Sequence, residues 1–411
     1  RTGVPGDDGA AFFIRGRSSP NGDNSPLILV DDIEYSYNQF SRLDANEIET
    51  ISILKDASTT AIFGIKGANG VVLVTTKRGK VGKPKVSARS ELSFSQPTIF
   101  PKVLDAYESA LLYNQAQVND SIYLNTPLPQ RRFSDEDLRL FKSGEDPWGH
   151  PNVDWKETLF RDFSTTNRTN IDISGGSQNV KYFISGGYLW QNGMLNDFGS
   201  RNGLRTDFYY KRFNYRSNLD IKASKTLDIR IDLYGNNGER NAPNPHTDLF
   251  QDYINFRTLS PFAYAVYNPN GTFNHPVKEI SPGLGGENNV VGRLTYNGYN
   301  RSFENNIYLA SNASQKLDFI TKGLSLKGVV SYASLQSFSR NMGVPDNNAP
   351  SSFPSYSYDR ETDSYQLWND NVYRIVDPTL TYNAGNPLRR LNLQAFLNYD
   401  RRFSDHHFIG M

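Results

Sequence analysis

Five histidines, His150, His246, His275, His406 and His407, are the residues of this chain best suited to proton transfer or imidazole ligation near neutral pH. No two of them fall in an HExxH or comparable ligand spacing. On a strand, the adjacent His406 and His407 point to opposite faces, which makes them poor joint ligands for one ion. Cysteine is absent, which excludes thiolate metal sites, disulfides and cysteine nucleophiles. There is no Gly-x-Ser-x-Gly elbow, and Gly67-Ala68-Asn69-Gly70 lacks the spacing and the Lys-Ser/Thr pair of a phosphate loop. The acids Asp31-Asp32 and Asp135-Glu136-Asp137 read as turn and helix-start carboxylates. Ser134, three acids, Leu138, Phe141 and then Gly144 predict a short capped helix. Neither catalysis, a metal nor a cofactor is expected.

Contact with a cargo molecule is the chemistry that the residues do offer. Aromatic faces flanked by amides and carboxylates suit sugar rings and peptide side chains. Two loop segments hold such groups: Tyr264, Tyr267 and Phe273 in one, and Tyr356, Tyr358, Tyr365 and Trp368 with Asp359, Asn369 and Asp370 in the other. The plainer reading is that these rings form interfacial girdles or pin loops together.

These loops hang on long alternating segments. From Phe213, one parity holds Phe213, Tyr215, Leu219 and Ile221, and the other holds Arg212, Asn214, Arg216, Asn218 and Asp220. After a turn near 223–225 the pattern resumes as Leu227, Ile229, Ile231 and Leu233 against Asp228, Arg230 and Asp232. Comparable runs occupy about 86–95, 168–176, 179–190, 302–316, 323–335 and 390–402, and another begins near His406. That makes eight fairly complete strands and a started ninth. Short turns alternate with long loops at about 97–167, 237–301 and 336–389, which is the asymmetry of outer-membrane barrels. No apolar run approaches the ~20 residues of a membrane helix, but a closed barrel crosses with ~9 to 11 alternating residues per strand. The aromatic content of 13% suits such a barrel. Lys and Arg number 44 against 43 Asp and Glu, so no net field gathers nucleic acid.

Residues 1–80 have a different texture, that of a small mixed α/β unit. Phe12 to Arg15, Leu27 to Val30, Ile51 to Leu54 and Val71 to Thr75 are strand candidates, and Asp56 to Phe63 is a candidate helix. Gly16, Gly64, Gly67, Gly70 and Gly79 sit where a small unit reverses its chain.

Several motifs carry a resemblance. Gly3-Val-Pro-Gly6, Phe13-Ile-Arg15-Gly16 and Pro26-Leu-Ile-Leu-Val-Asp31 are similar to the start of TonB-dependent receptor plugs. Leu54-Lys55-Asp56-Ala-Ser, then Phe63-Gly64, then Lys66-Gly67-Ala68-Asn69-Gly70 running to Thr75-Thr-Lys-Arg-Gly79 resembles the SusC/RagA subgroup. Phe133 to Leu138, Asp146-Pro-Trp148 and Pro151 to Trp155 are similar to its first long outer loop, and Asn170 to Leu189 to its second hairpin. The departures are Asp32, where Gly is common, and Phe63 and Ile65, where Tyr and Ser are common.

The resemblance implies an α+β plug domain (1–80) inside a large antiparallel transmembrane β-barrel, with 85–411 forming the first part of the barrel. A barrel of eight strands is filled by its own side chains and has no room for a plug, so more strands are expected after Met411. Arg1 is preceded by no signal sequence, and the natural N-terminus with its TonB box is expected to lie outside the chain. The implied role is active import of oligosaccharide or oligopeptide across the bacterial outer membrane. Its partners would be a SusD-like surface lipoprotein, the TonB-ExbB-ExbD complex and outer-membrane lipid. On this reading Asn21, Asp23, Tyr35, Tyr37, Phe63 and Lys66 of the plug, with Tyr356, Tyr358, Tyr365 and Trp368, are candidate cargo contacts. The plug motif residues Arg15, Gly16, Asp31, Lys55, Asp56, Gly64, Gly67, Asn69 and Gly70 are structural. The alternatives are a non-transporting carbohydrate- or peptide-binding β-rich surface protein and a β-rich hydrolase; the plug motifs argue against both.

Overall fold

A computed structural model describes residues 5–6, 13–14, 24–56, 60–199, 205–244, 259–275, 289–296, 298–343, 353–367, 379–403 and 406–410. The N-terminal unit is a four-stranded sheet of β1 (Leu27–Val30), β2 (Ile33–Tyr35), β3 (Ile48–Leu54) and β4 (Val71–Thr76) in the order β2-β1-β4-β3. β1 runs parallel to β4, and the other pairs are antiparallel. The β1–β2 hairpin turns on Asp31 and Asp32 alone, at φ 47° and 69°. Two consecutive left-handed residues match the twist of a two-residue hairpin, and Asp tolerates that region better than most residues. Ser36 caps α1 (Tyr37–Phe40) in a reciprocal box with Gln39.

The helix expected over Asp56 to Phe63 takes another form. Residues 57–59 lie outside the described set; Thr60 keeps a helical bond to the Asp56 carbonyl at 3.0 Å, and a 3₁₀ turn, Ala61–Gly67, follows, interrupted by Gly64 at φ 59°, ψ −146°. A backbone in that region cannot continue a helix, so the glycine ends what the apolar pattern suggested. Of the strand expected at Phe12 to Arg15, only residues 13 and 14 are described, and they are irregular. Ile14 packs over Gly70, where an added Cβ would meet its side chain at 2.9 Å.

The larger sheet is an antiparallel meander of β5 (Gly82–Ser95), β6 (Ser164–Gly176), β7 (Val180–Asn192), β8 (Tyr209–Lys222), β9 (Leu227–Pro243), β11 (Tyr299–Lys316), β12 (Leu324–Gly343), β16 (Leu388–Phe403) and β17 (His406–Gly410), each paired with the next. The strands follow the runs read from the sequence and are longer on the side of the long loops. A further strand, β15 (Thr379–Ala384), extends the partner of β12 beyond β16.

Register decides the two faces. Asn214, Asn236 and Asn306 align across β8, β9 and β11 on the buried parity, while Phe213, Ile307 and Leu309 stand exposed on the other. The exposed parity continues through Val86, Ile171, Ile184, Val330, Leu391 and Leu393, an apolar band of the kind that faces lipid. The plug packs on the polar face. Its core residues Ile28, Val30, Val72 and Val74 join Tyr234, Tyr308 and Ala333 of the wall in one cluster.

The long loops fold into a cap. Between β5 and β6 lie α2 (Ala106–Leu124), α3 (Asp135–Ser143) and α4 (Trp155–Leu159); between β9 and β11 lie β10 (Phe273–Asn274) and α5 (Val290–Tyr296). β13 (Ser355–Asp359) and β14 (Ser364–Leu367) complete a small sheet with β10. Trp155, Leu159, Leu195, Tyr264, Val290 and Leu294 share its core.

Leu309 sits near the middle of the apolar band, so Leu309→Arg should destabilise the membrane-inserted protein by about 2–4 kcal/mol. Urea unfolding in lipid vesicles measures this; a change below ~0.5 kcal/mol would remove Leu309 from the lipid face.

Candidate functional site

The centre of the polar face is Arg216. The residue is 3% exposed, with Nε donating to Glu47 Oε2 at 2.8 Å and Nη1 lying 3.6 Å from Asp31 Oδ2. Asp31 in turn accepts from the Thr76 backbone amide (3.0 Å) and hydroxyl (2.5 Å), and Asn218 donates to Thr76 Oγ1 and to the Lys77 carbonyl, both at 2.8 Å. One arginine of the wall thus clamps the hairpin turn of β1–β2, the end of β4 and Glu47 just before β3. Burial pushes the Glu47 carboxyl up from its ordinary range, against the pull of Arg216. A second fork runs the other way: Arg78, which follows β4, donates to Asp220 at 2.8 Å and to Asp232 at 2.7 Å on β8 and β9. Unpaired charges here would be costly, and each is matched from across the boundary.

Tyr35 belongs to this boundary. It is buried, its ring stacked on Tyr308 at 4.5 Å and tilted against Tyr234 at 6.4 Å. Its ring packs plug against wall, and nothing in this geometry supports the expectation that it meets cargo. Tyr37 is half-buried and packs against the same core, and Phe63 is also half-buried. Lys66 is exposed and pairs with Glu34 at 2.7 Å. Lys55 and Asp56 are exposed, and the Asp56 carbonyl accepts from Thr60 at 3.0 Å. Gly67 is needed for closeness, since a Cβ would lie 2.8 Å from the Thr60 carbonyl oxygen; Gly70 combines φ 95° with contact to Ile14. Asn69 reaches the Ser25 carbonyl at 3.5 Å. Arg15, Gly16, Asn21 and Asp23 lie outside the described residues.

In the cap, Tyr358 and Tyr365 come together across the β13–β14 hairpin, ring centroids 5.0 Å apart. Trp148, which the sequence reading passed over as a motif residue, meets Tyr358 edge-on at 5.5 Å. Arg360 locks the two loops by donating to the Glu145 carbonyl at 2.8 Å. Tyr356 is half-buried beside this hairpin, and its carbonyl accepts from Asn268 at 3.0 Å. Tyr264 is buried, its hydroxyl accepting from the Val290 amide at 3.1 Å, and serves the cap core; Tyr267 and Phe273 pair 5.4 Å apart. Trp368, Asn369 and Asp370 lie outside the described residues.

The short capped helix expected from Ser134 is α3, with Ser134 and Asp137 in a reciprocal box. Asp137 also holds His150 Nε2 at 2.9 Å while Asp146 holds Nδ1 at 2.8 Å, an imidazole gripped by two carboxylates against Phe141. Partial burial opposes ionisation of Asp137, but hydrogen bonds from His150 and Ser134 outweigh it and hold the carboxyl below its usual range. The His150 cluster is a loop clasp and not a ligand set, and no group of three metal-ligating residues occurs among the described residues.

Comparison with known proteins settles what the small unit is. The TonB-dependent Receptor Plug Domain family matches residues 2–71. The chain is 36% identical over 201 residues to the TonB-dependent receptor SusC of Bacteroides thetaiotaomicron, covering 47% of this chain and 18% of that receptor. The RagAB peptide transporter superposes over 94% of this chain and 48% of its own, at a TM-score of 0.60 and 19% identity. The small unit is a plug domain of the TonB-dependent receptor family, and the chain as a whole is similar to SusC in sequence and to RagAB in fold. A TonB-dependent receptor of Formosa agariphila is 34% identical over 232 residues, 55% of this chain and 21% of the receptor. The chain therefore spans less than half the length of the relatives that it matches.

Sequence reasoning assigned the wet parity of β8 and β9 but not its partners. The signal was present in Arg216, Asp220 and Asp232 alternating toward a lumen, and in Arg78 and Glu47 of the plug motifs.

A carboxyl held low in the folded state stabilises above its ordinary value of 3.8 and loses that contribution as pH falls through the lowered value. Amide exchange in α3 should therefore rise on acidification through that window. In Asp137→Asn it should already be faster at pH 7, by the ~1 kcal/mol that a lost cap costs. Exchange that ignores both changes would contradict the clasp.

Proposed function

We propose that the complete protein imports oligosaccharides or oligopeptides across the bacterial outer membrane, energised by the TonB-ExbB-ExbD complex and lidded by a SusD-like surface lipoprotein. The observation that carries this reading is a plug of the TonB-dependent receptor family held against the polar inner face of a membrane wall by buried, reversible ion pairs. A plug fixed by apolar packing alone would resist displacement; charged contacts can exchange partners with water as the lumen opens.

Cargo first meets the cap. Trp148, Tyr358 and Tyr365 supply ring faces beside carboxylates such as Asp359 and Asp363. On this reading Tyr37, Phe63 and Lys66 of the plug are further cargo contacts. Oligosaccharide and oligopeptide both suit rings flanked by hydrogen-bonding groups. The SusD-like partner is proposed from the likeness to SusC and RagAB.

The test is uptake of fluorescent oligosaccharide and oligopeptide by cells expressing the full-length protein, with and without a protonophore. Uptake of one class that stops with the protonophore, and falls about tenfold in a Trp148→Ala/Tyr358→Ala variant by loss of two ring contacts, is expected. Uptake indifferent to the protonophore would overturn the importer reading, and protonophore-sensitive uptake unchanged in the variant would remove the cap rings from the cargo path.

A further inference from the structure

On the long-loop side of the Arg216 clamp, the inner face of the wall carries two arginines that no carboxylate answers. Arg168 of β6 and Arg212 of β8 are both paired in register with Leu189 of the intervening β7. They share the inward parity of Asn214 and Arg216, and their Cα atoms are two strand spacings apart, about 10 Å at ~4.8 Å each. In the next inward row toward the clamp, Asn170 and Asn214 flank Gly187 in the same way.

Other arginines of the seam are matched: Arg216 has Glu47 and Asp31, Arg78 has Asp220 and Asp232, and Arg42 of the plug has Glu304. Arg212 is 7% exposed, yet among the described residues it has no ion pair and its Nε meets no acceptor. The Nε of the half-buried Arg168 is also buried without an acceptor there. Arg212 attracts Glu47 only at a distance, since that carboxylate is bonded to Arg216. Asp44 of the plug comes within 3.6 Å of where a Cβ on Gly187 would stand, but its Oδ1 accepts from the Asn46 amide at 2.9 Å and it pairs with neither arginine. The side-chain oxygens of Asn170 and Asn214, residues 4% and 2% exposed, accept no hydrogen bond among the described residues. A buried guanidinium without an anion is costly, and so are unmatched amide oxygens.

This arrangement has a chemical complement. Two guanidinium groups on either side of an apolar residue can both donate to one carboxylate placed over Leu189. The two amide oxygens of the next row can accept from hydroxyl or N–H groups beside that carboxylate. An acid-bearing sugar ring and an acidic peptide residue both present this combination, and their neutral counterparts do not.

We propose that Arg168 and Arg212, with Asn170 and Asn214, form a transit site for the carboxylate of an anionic oligomer, and that the cargo is therefore acidic. The site opens as the plug moves: Asp44 and Glu47 withdraw with it, and the two arginines face the lumen with the cargo as their counter-ion. The proposal rests on the importer reading and narrows its substrate class.

Uptake by cells expressing the full-length protein tests it, with four fluorescent probes: an oligogalacturonate, the same oligomer with its carboxyls reduced to alcohols, a glutamate-rich oligopeptide and its glutamine counterpart. One acidic probe should enter about tenfold faster than its neutral counterpart, R168Q should cut that preference roughly threefold, and R168Q/R212Q should abolish it. Arg168 is half-buried and belongs to no core cluster, so R168Q keeps the test independent of folding. Equal uptake of acidic and neutral probes by the wild type would overturn the site, as would an acidic preference that survives in R168Q/R212Q. Asp7 and Asp8 lie outside the described residues but follow Gly6, whose amide donates to Gln191 at 3.0 Å in the row beyond Leu189. Amide exchange in β7 that rises as much in D7N/D8N as in R168Q/R212Q would give the arginines to the chain's own acids and overturn the site. Absence of protonophore-sensitive uptake for all four probes would instead overturn the importer reading, and the site with it.

Discussion

A membrane wall with a polar inner face has to bring its charges into a place where water is scarce, and Arg216 is where this chain meets that constraint. Buried at the middle of β8, the guanidinium is compensated by Glu47 and Asp31, both from the plug. Breaking such a pair from one side leaves an unpaired buried charge, at a cost of about 3–5 kcal/mol. The sequence of the wall is therefore sensible only with the plug in place. The reverse also holds, since among the described residues Arg78 finds its carboxylates on β8 and β9.

From that pairing the rest follows in order. The hairpin turn at Asp31 and Asp32 must place a carboxylate at the end of β1, which explains an aspartate pair at positive φ where a glycine would turn more easily. Tyr35 then faces Tyr234 and Tyr308, so an apolar contact flanks the ionic one. The strand parity that buries Arg216, Asn218 and Asp232 forces Phe213, Leu219 and Ile231 outward, and this supplies the lipid-facing band. The two faces are one decision made at every second residue.

What the sequence made legible was what local rules control. Alternation located every long strand, because a half-buried strand advertises its parity, and the capping residues located α3. The plug motifs identified the small unit through their glycines and the LKDAS run. What stayed hidden depends on contacts between distant segments. Helix α2 was missed because its buried side is made of Ala106, Ser109, Ala110 and Asn114 while Leu111, Leu112 and Ile122 are exposed, which inverts the usual stripe. The 3₁₀ turn at Ala61–Gly67 depended on the conformation of one glycine. Tyr35 looked like a free aromatic until its two partners, some 200 residues or more away in the chain, were placed against it.

The dependence of plug seating on Arg216 is tested most directly by a double-mutant cycle of Arg216→Met, Glu47→Leu and the pair together in the full-length protein, following amide exchange in β4. Each single change should speed exchange sharply, and the pair should recover much of the protection, giving a coupling of about 2 kcal/mol or more. Additive effects with no recovery would mean that the plug is held by its apolar contacts, and that the ion pairs at its edge are incidental.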